Sequence, residues 1–421
     1  MKKLMRSRKF LAGTGIAALL AVAGMTPVAF NQHWIGEAKA QSPGDVMVPW
    51  FEADPYWPKP LPNHWVLAMT IGLGLDAKEN VWVFHRPQTL EQKESYAARN
   101  EADCCVAAPD VLEFDPAGNL IRHWGRDQVK GNGHDWPSSN HGITIGPDGN
   151  VWLGGNGAAQ PGPVPGSAAQ FAVKPGAPAP APAPYAGGVP VYHDSFILKF
   201  TPDGKYLGQI GKASGSKGSL DTDNVRGVAQ IRFAGNEMIL ADGYGNKRIS
   251  VWDATTLKFK RMWGAYGHVP DDSAPRDRRY DPPLQQFNLL HGMTIARDGT
   301  VYVADRNANR VQAFTLDGKF LKEAWVSRGS PQGDFGTAFA VALSGDKAQR
   351  FLYVADGHNE RVQVLDRATL QQIPGAEIGH PGPYPGQFFN IHVMASDAQG
   401  NLYVGEGGGR VQKFIYKGMA R

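Results

Sequence analysis

Beyond about residue 60, short runs of alternating apolar and polar residues are broken by Gly and Asp turns roughly every 8–12 residues, the pattern of an antiparallel meander. The clearest unit is HGMTIARDGTVYVADRNANRVQAFTLDGKFL, starting at His291. It predicts a first strand, an Asp-Gly turn, the strand Val301-Tyr302-Val303, a polar turn, a third strand over 310–314, and a second Asp-Gly turn into a fourth. The strand at Val301 has counterparts at Val81-Trp82-Val83, Val151-Trp152-Leu153, Met238-Ile239-Leu240, Leu352-Tyr353-Val354 and Leu402-Tyr403-Val404. A common tail follows several of them: Arg248-Ile249-Ser250-Val251-Trp252, Arg361-Val362-Gln363-Val364-Leu365 and Arg410-Val411-Gln412-Lys413-Phe414. Six such four-stranded units predict an all-β chain closed as a six-bladed β-propeller, a single domain over 60–421. Two segments interrupt it, at about 87–109 and 156–190, both too long for ordinary hairpin loops. They read as a functional flap or a disordered insertion. The second contains the Pro/Ala run APAPAPAPY, expected to be extended and poor in backbone hydrogen bonds.

The N-terminus follows different rules. Lys2, Lys3, Arg6, Arg8 and Lys9 precede an apolar stretch from Leu11 to Met25, and Ala38-Lys39-Ala40 has the small-x-small form of a cleavage site. Residues 1–40 therefore read as a secretory signal peptide rather than an uncleaved anchor, and 41–59 as an N-terminal extension. The expected location is periplasmic or secreted, with no stable membrane insertion after cleavage. This leader also explains the charge. It holds six of the 43 basic side chains and one of the 39 acidic ones, so the formal +4 disappears in the remainder. A near-neutral mature chain gives no reason to expect a nucleic acid or an anionic membrane as partner. Aromatic content of 10% and charged content of 19% exclude a largely disordered chain, and the 51 Gly have no collagen-like period. The two adjacent cysteines, Cys104 and Cys105, cannot build a disulfide framework or an all-cysteine zinc site. Oxidised, they could form a vicinal disulfide, with or without a function; reduced, they could bind a soft metal.

Candidate chemistry comes from aligning the repeats. His141, His291 and His392 each stand ten residues before the start of their unit's second strand, at Val151, Val301 and Leu402. The matching places in the other units, near Ile71, Val228 and the Ala340–Ala342 stretch, are apolar. Histidines in alternate blades would meet about the channel axis at roughly 120° intervals. Three imidazoles can then hold zinc at about 2 Å and leave a fourth position open. A single axial histidine would more simply fill a layer or bond a carbonyl. Arg86, Tyr244 and Arg306 lie five or six residues after the second strands begin, in turns at the strand ends, and are expected at the channel mouth. Arg306 could instead pair with Asp305, and Tyr244 could cap the Asp242-Gly243 turn. Together, two arginines and a tyrosine suit an anionic substrate and a base, because nearby cations favour a phenolate.

With these residues placed, the chain resembles NHL-repeat propellers and, more narrowly, the lyase half of peptidylglycine α-amidating monooxygenase and its bacterial homologues. The motifs that carry the resemblance are Val83-Phe84-His85-Arg86, His141-Gly142, Asp242-Gly243-Tyr244, Ala304-Asp305-Arg306 and His392, in family order. The resemblance implies cleavage of an α-hydroxyglycine carbinolamide to an amide and glyoxylate. It implies zinc (with iron as an alternative) on His141, His291 and His392, and Tyr244 as general base. Arg86 and Arg306 would position a small or peptide-like substrate bearing a carboxylate; His85 is given no role and no protein partner is specified. Three positions depart from the family. Val393 stands where an aspartate helps hold a structural calcium, Asn390 where methionine is common, and Gly245 where the family has a cysteine. No copper monooxygenase domain is attached, so a hydroxylated substrate is expected to be made elsewhere. Two other functions fit the same fold: a metal-dependent lactone or ester hydrolase, and a non-enzymatic propeller binding through a rim that includes Trp124, Trp136, Trp252 and Trp263.

Overall fold

A computed structural model of the chain describes residues 46–90, 94, 96, 103–129, 134–157, 193–276, 281–330 and 336–420. Residues 1–40, expected from the sequence to be a leader, and nearly all of the Pro/Ala insertion lie outside the described residues. All the described residues belong to one compact unit, Pro43–Arg421.

Six antiparallel sheets surround a central channel, as the repeats predict. Blade 1 is Thr70–Leu75, Val81–His85, Val111–Phe114 and Leu120–Trp124. Blade 2 is Asn140–Ile145, Val151–Gly155, Phe196–Phe200 and Tyr206–Gly211. Blade 3 is Val228–Ala234, Glu237–Asp242, Arg248–Asp253 and Phe259–Trp263, and blade 4 is Leu290–Ile295, Val301–Asp305, Arg310–Phe314 and Phe320–Trp325. Blade 5 has a three-stranded sheet, Ala338–Leu343, Phe351–Asp356 and Arg361–Asp366; isolated bridges at Gln372 and Ile378 stand where its outer strand would run. Blade 6 combines Ile391–Ser396, Leu402–Glu406 and Arg410–Ala420 with Val48–Asp54 from the other end of the chain.

That last pairing corrects the domain boundary expected at residue 60. The segment 41–59 supplies the outer strand of blade 6 and joins the two ends of the propeller, so the ring closes through main-chain hydrogen bonds rather than leaving two raw edges. The second strands are buried along their whole length except for Glu237 at the start of blade 3's, because the sheet of each blade is covered on both faces by its neighbours. Gly299 takes φ +84 in the Asp-Gly hairpin, the left-handed turn geometry that glycine adopts without a Cβ penalty.

The arginine that opens each repeated tail has a structural partner. Asp242 pairs with Arg248 at 2.8 Å, Asp305 with Arg310 at 2.9 Å, Asp356 with Arg361 at 3.4 Å, and Glu406 with Arg410 at 2.8 Å. Arg248 and Arg310 are fully buried. Asp305 is thereby taken up by Arg310, and Arg306 is left to the channel. In blade 1 the corresponding position is His85, whose Nδ1 accepts from the Ala68 N–H at 3.2 Å while Nε2 donates to Pro109 O at 2.8 Å. Its place in the sequence motif is thus explained by packing alone.

Three of the four tryptophans considered for a binding rim are buried: Trp124, Trp252 and Trp263. Trp136 is half-buried and meets Phe84 and Trp124 edge-on. They pack blades and form no exposed aromatic patch. Cys104 and Cys105 are free thiols, the first exposed and the second buried. The neighbouring Cys104 thiol, and then burial, push the Cys105 thiol up to about 11, which disfavours its thiolate while both stay reduced. No helix among the described residues is long and apolar enough to cross a membrane.

Candidate metal centre

In every blade the first strand starts at one end of the channel, and the second strand returns to that end. The turns after the second strands therefore share this face, and so do the described ends of both insertions, since each leaves a second strand and returns to a third. Near the start of each first strand the pairing with the second strand slips: between Asn140 and Ile143, Leu290 and Gly292, and Ile391 and Val393. The slips leave His141, His291 and His392 out of the ladder and re-aim their side chains toward the axis, a usual effect of a β-bulge. Similar slips flank Ile71, Ala229 and Phe339 in the other blades. These three are the counterparts of the histidines: Ile71 is where the alignment placed it, Ala229 is next to Val228, and Phe339 lies just before the Ala340–Ala342 stretch.

Glycine lets the inner strands come close enough. A Cβ at Gly142 would lie 3.0 Å from Ala229 O, and one at Gly292 would lie 2.7 Å from the Ala340 Cα. The same closeness fixes two imidazoles. His141 Nδ1 donates to Ala229 O at 2.9 Å, and His291 Nδ1 donates to Phe339 O at 2.6 Å, in each case the counterpart residue of the next blade. With Nδ1 carrying the proton, Nε2 of both rings presents a lone pair inward. His392 is set differently. Glu360, on the neighbouring blade, accepts the Asn390 and Ile391 N–H groups at 2.8 and 3.0 Å, holding Asn390 in a left-handed conformation (φ +61) two residues before the histidine.

The three imidazoles converge, with one candidate ligand atom from each all within 4.8 Å of one another. Ring centroids are 5.0 Å apart for His141 and His291, 5.1 Å for His141 and His392, and 4.6 Å for His291 and His392. Burial, mutual repulsion and the nearby arginines hold all three pKa values well below the usual histidine range, so the rings are neutral. His291 Nε2 and His392 Nδ1 are buried with no hydrogen-bond partner. Two orphaned ring nitrogens beside a third inward lone pair are costly in an apolar channel, and a soft-to-borderline divalent cation would satisfy all of them. The set therefore fits zinc. No carboxylate joins the cluster among the described residues. Val393, at the position of the family's calcium ligand, is packed with Leu73, Leu112 and Tyr403.

Of the residues expected at the channel mouth, Tyr244 touches the cluster, Arg306 touches Tyr244, and Arg86 is near enough for its charge to act on all three imidazoles. Tyr244 follows Gly243, where a Cβ would lie 1.9 Å from Leu290 O, and its N–H donates to Gly227 O at 3.1 Å. The ring then points inward: its hydroxyl is 3.0 Å from His141 Nε2 and 3.3 Å from Arg306 Nη1. Since His141 Nε2 is the acceptor, the tyrosine hydroxyl donates to it and receives from Arg306. Arg306 is 9% exposed and lies 4.8 Å over the Phe339 ring. Arg86 donates from Nε to Asn140 O and from Nη2 to Asn156 Oδ1, both at 2.9 Å. Burial lowers the Arg86 pKa, with Arg306 pushing the same way and Tyr244 and Asp194 opposing; a guanidinium remains charged regardless. Asn140, Asn156, Phe339 and Glu360 were not legible as site residues. The one available cue was Asn140, adjacent to His141, which also donates to His85 O and Asp110 Oδ1.

Comparisons with known proteins agree with this architecture. The family model for the NHL repeat matches residues 287–314, the first three strands of blade 4. The fold is a six-bladed β-propeller of the NHL-repeat type. Peptidyl-alpha-hydroxyglycine alpha-amidating lyase 1 of Drosophila melanogaster is 24% identical over 395 residues, covering 87% of this chain and 60% of that protein. Peptidyl-glycine alpha-amidating monooxygenase of Mus musculus is 25% identical over 305 residues, covering 58% of this chain and 30% of that one. The propeller chain thus spans between about a third and three fifths of these relatives. Among solved structures, a streptogramin B lyase superposes with a TM-score of 0.48 at 13% identity, covering 88% of this chain and 98% of the other. A virginiamycin B lyase from Staphylococcus aureus gives 0.45 at 15% identity, covering 83% and 97%.

Proposed function

We propose that the propeller is a zinc-dependent lyase that cleaves the C–N bond of an N-substituted α-hydroxyglycine, releasing an amide and glyoxylate. The observation that carries this reading is the convergence of three neutral imidazoles, two of them with orphaned ring nitrogens, beside a Tyr244 hydroxyl that accepts from Arg306 Nη1 at 3.3 Å; the hydroxyl's bond to His141 Nε2 gives way when that nitrogen takes the metal. The similarity to two amidating enzymes supports it.

Zinc held by His141, His291 and His392 would supply Lewis-acid polarisation of the carbinol oxygen, and iron could serve similarly. The chain's own groups do the rest. Tyr244, once its own hydroxyl proton has been released, is the group placed to take the proton from the carbinol hydroxyl and return it to the departing nitrogen. The oxygen's electron pair forms the aldehyde C=O, the C–N bond breaks, and the departing amide nitrogen gains a proton. Atoms and charge balance without water or a covalent enzyme intermediate. Arg86 and Arg306 provide fixed positive charge for the substrate carboxylate, and their bonds to Asn140, Asn156 and Asn307 hold them in place before substrate arrives. The substrate is a small or peptide-like carboxylate, and the leader at 1–40 supports a periplasmic or secreted site of action.

The cluster contains no carboxylate to activate a water, which counts against the hydrolase alternative. Incubating the mature chain with N-benzoyl-α-hydroxyglycine should give equimolar benzamide and glyoxylate, measured by chromatography and hydrazone formation. A chelator should stop the reaction, and zinc should restore it. Hydrolysis of aryl esters or lactones with no glyoxylate from the carbinolamide would favour the hydrolase instead.

A further inference from the structure

Three residues along each first strand from the histidine layer, the six blades place Gly74, Thr144, Arg232, Thr294, Ala342 and Ala395 at equivalent positions. All six line one cavity of about 200 Å³, to which every blade contributes. Strand rise puts this layer about 10 Å farther down the channel, toward the end opposite the metal centre. Five of its members are small, and the sixth is an arginine.

The arginine has few partners for its charge. Its Nη1 donates to Ile231 O at 2.8 Å. With the Gln230 amide turned so that Oε1 faces it, Gln230 accepts from Nη1 and Nη2 at 2.9 and 2.8 Å. These acceptors are neutral. Burial pushes the Arg232 pKa down to about 10, and no charged group contributes to the shift. No ion pair to Arg232 occurs among the described residues. Thr144, Thr294 and Ser396 line the same cavity and bring three hydroxyl groups to its wall. Arg232 is half-buried on the cavity wall, and a cation beside apolar walls with no ion-pair partner among the described residues is a ready counter-charge for an anion. Guanidinium and hydroxyl donors around a cavity of this size match a few-atom oxyanion.

We propose that the far end of the central channel is a binding site for a small oxyanion, phosphate or carboxylate, with Arg232 as its principal donor and Thr144 and Thr294 as hydroxyl donors. This site is separate from the metal centre and does not depend on the lyase reading. The alternative is that Arg232 merely plugs the channel.

The test is isothermal titration of the full mature chain with inorganic phosphate and, separately, acetate, at constant ionic strength with chloride as control. Wild type should bind at least one probe beyond the chloride control, and Arg232→Gln should weaken that binding at least tenfold with metal content unchanged. Phosphate alone identifies a tetrahedral oxyanion, and acetate alone a carboxylate. Should Arg232→Gln fail to fold, the double variant Thr144→Val, Thr294→Val takes its place, with a loss of at least threefold expected. No binding to wild type, or equal binding to the variants, would overturn the proposal and leave Arg232 as a plug.

Discussion

Tyr244→Phe is expected to lower kcat by about 10²–10⁴-fold, the usual contribution of a positioned general base, with metal content unchanged. The substitution removes one oxygen and keeps the ring, which packs 5.0 Å from His141 and 5.7 Å from His291. The main-chain bond from Tyr244 to Gly227 also remains. Loss of activity can therefore be assigned to the proton acceptor if the metal stays bound. Parallel loss of metal would instead make the hydroxyl a support for His141. A variant with full turnover would remove Tyr244 from the mechanism.

Arg310→Met should destabilise the propeller by about 3–5 kcal/mol, because it leaves Asp305 as a buried carboxylate with no counter-charge. Arg310 is fully buried and also donates to Leu284 O and Gln286 O, tying down the segment that leads into blade 4. Asp305 Oδ1 accepts the Asn288 and Leu289 N–H groups, both at 2.9 Å, two or three residues before His291. The damage should therefore reach the metal centre, and the variant should bind zinc more weakly as well as unfold at lower urea. Adding Asp305→Asn should recover part of the stability, since the stranded charge is then gone. A midpoint within about 1 kcal/mol of wild type would show that the pair is not a structural clamp.

The sequence carried the blade count because each blade repeats a buried second strand between turns, and burial on both faces gives short apolar runs that stand out. It also carried the three histidines, because their hairpins have equal length and keep the ten-residue spacing. Blades 3 and 5 have hairpins of other lengths, so their counterparts, Ala229 and Phe339, fall off the ten-residue spacing. The strand Val48–Asp54 was missed for a different reason. Its partner lies at the opposite end of the chain, and nothing local to 41–59 announces a pairing that only ring closure creates. The same closure hid Arg232. Along its strand it reads as a polar residue facing solvent, and only the meeting of six first strands turns that face into a channel. The tail arginines were visible as a repeat, but their role required seeing that the acids four to six residues earlier are buried beside them.

The most direct test of the central claim is the metal content of the mature chain, purified without a chelating tag, for wild type and His291→Ala. The convergent histidines predict about one zinc (or iron) per chain in wild type. The variant should lose it while keeping the strand signature in circular dichroism. A well-folded wild type that carries no metal and takes up no added zinc would contradict the metal centre, and the lyase reading with it.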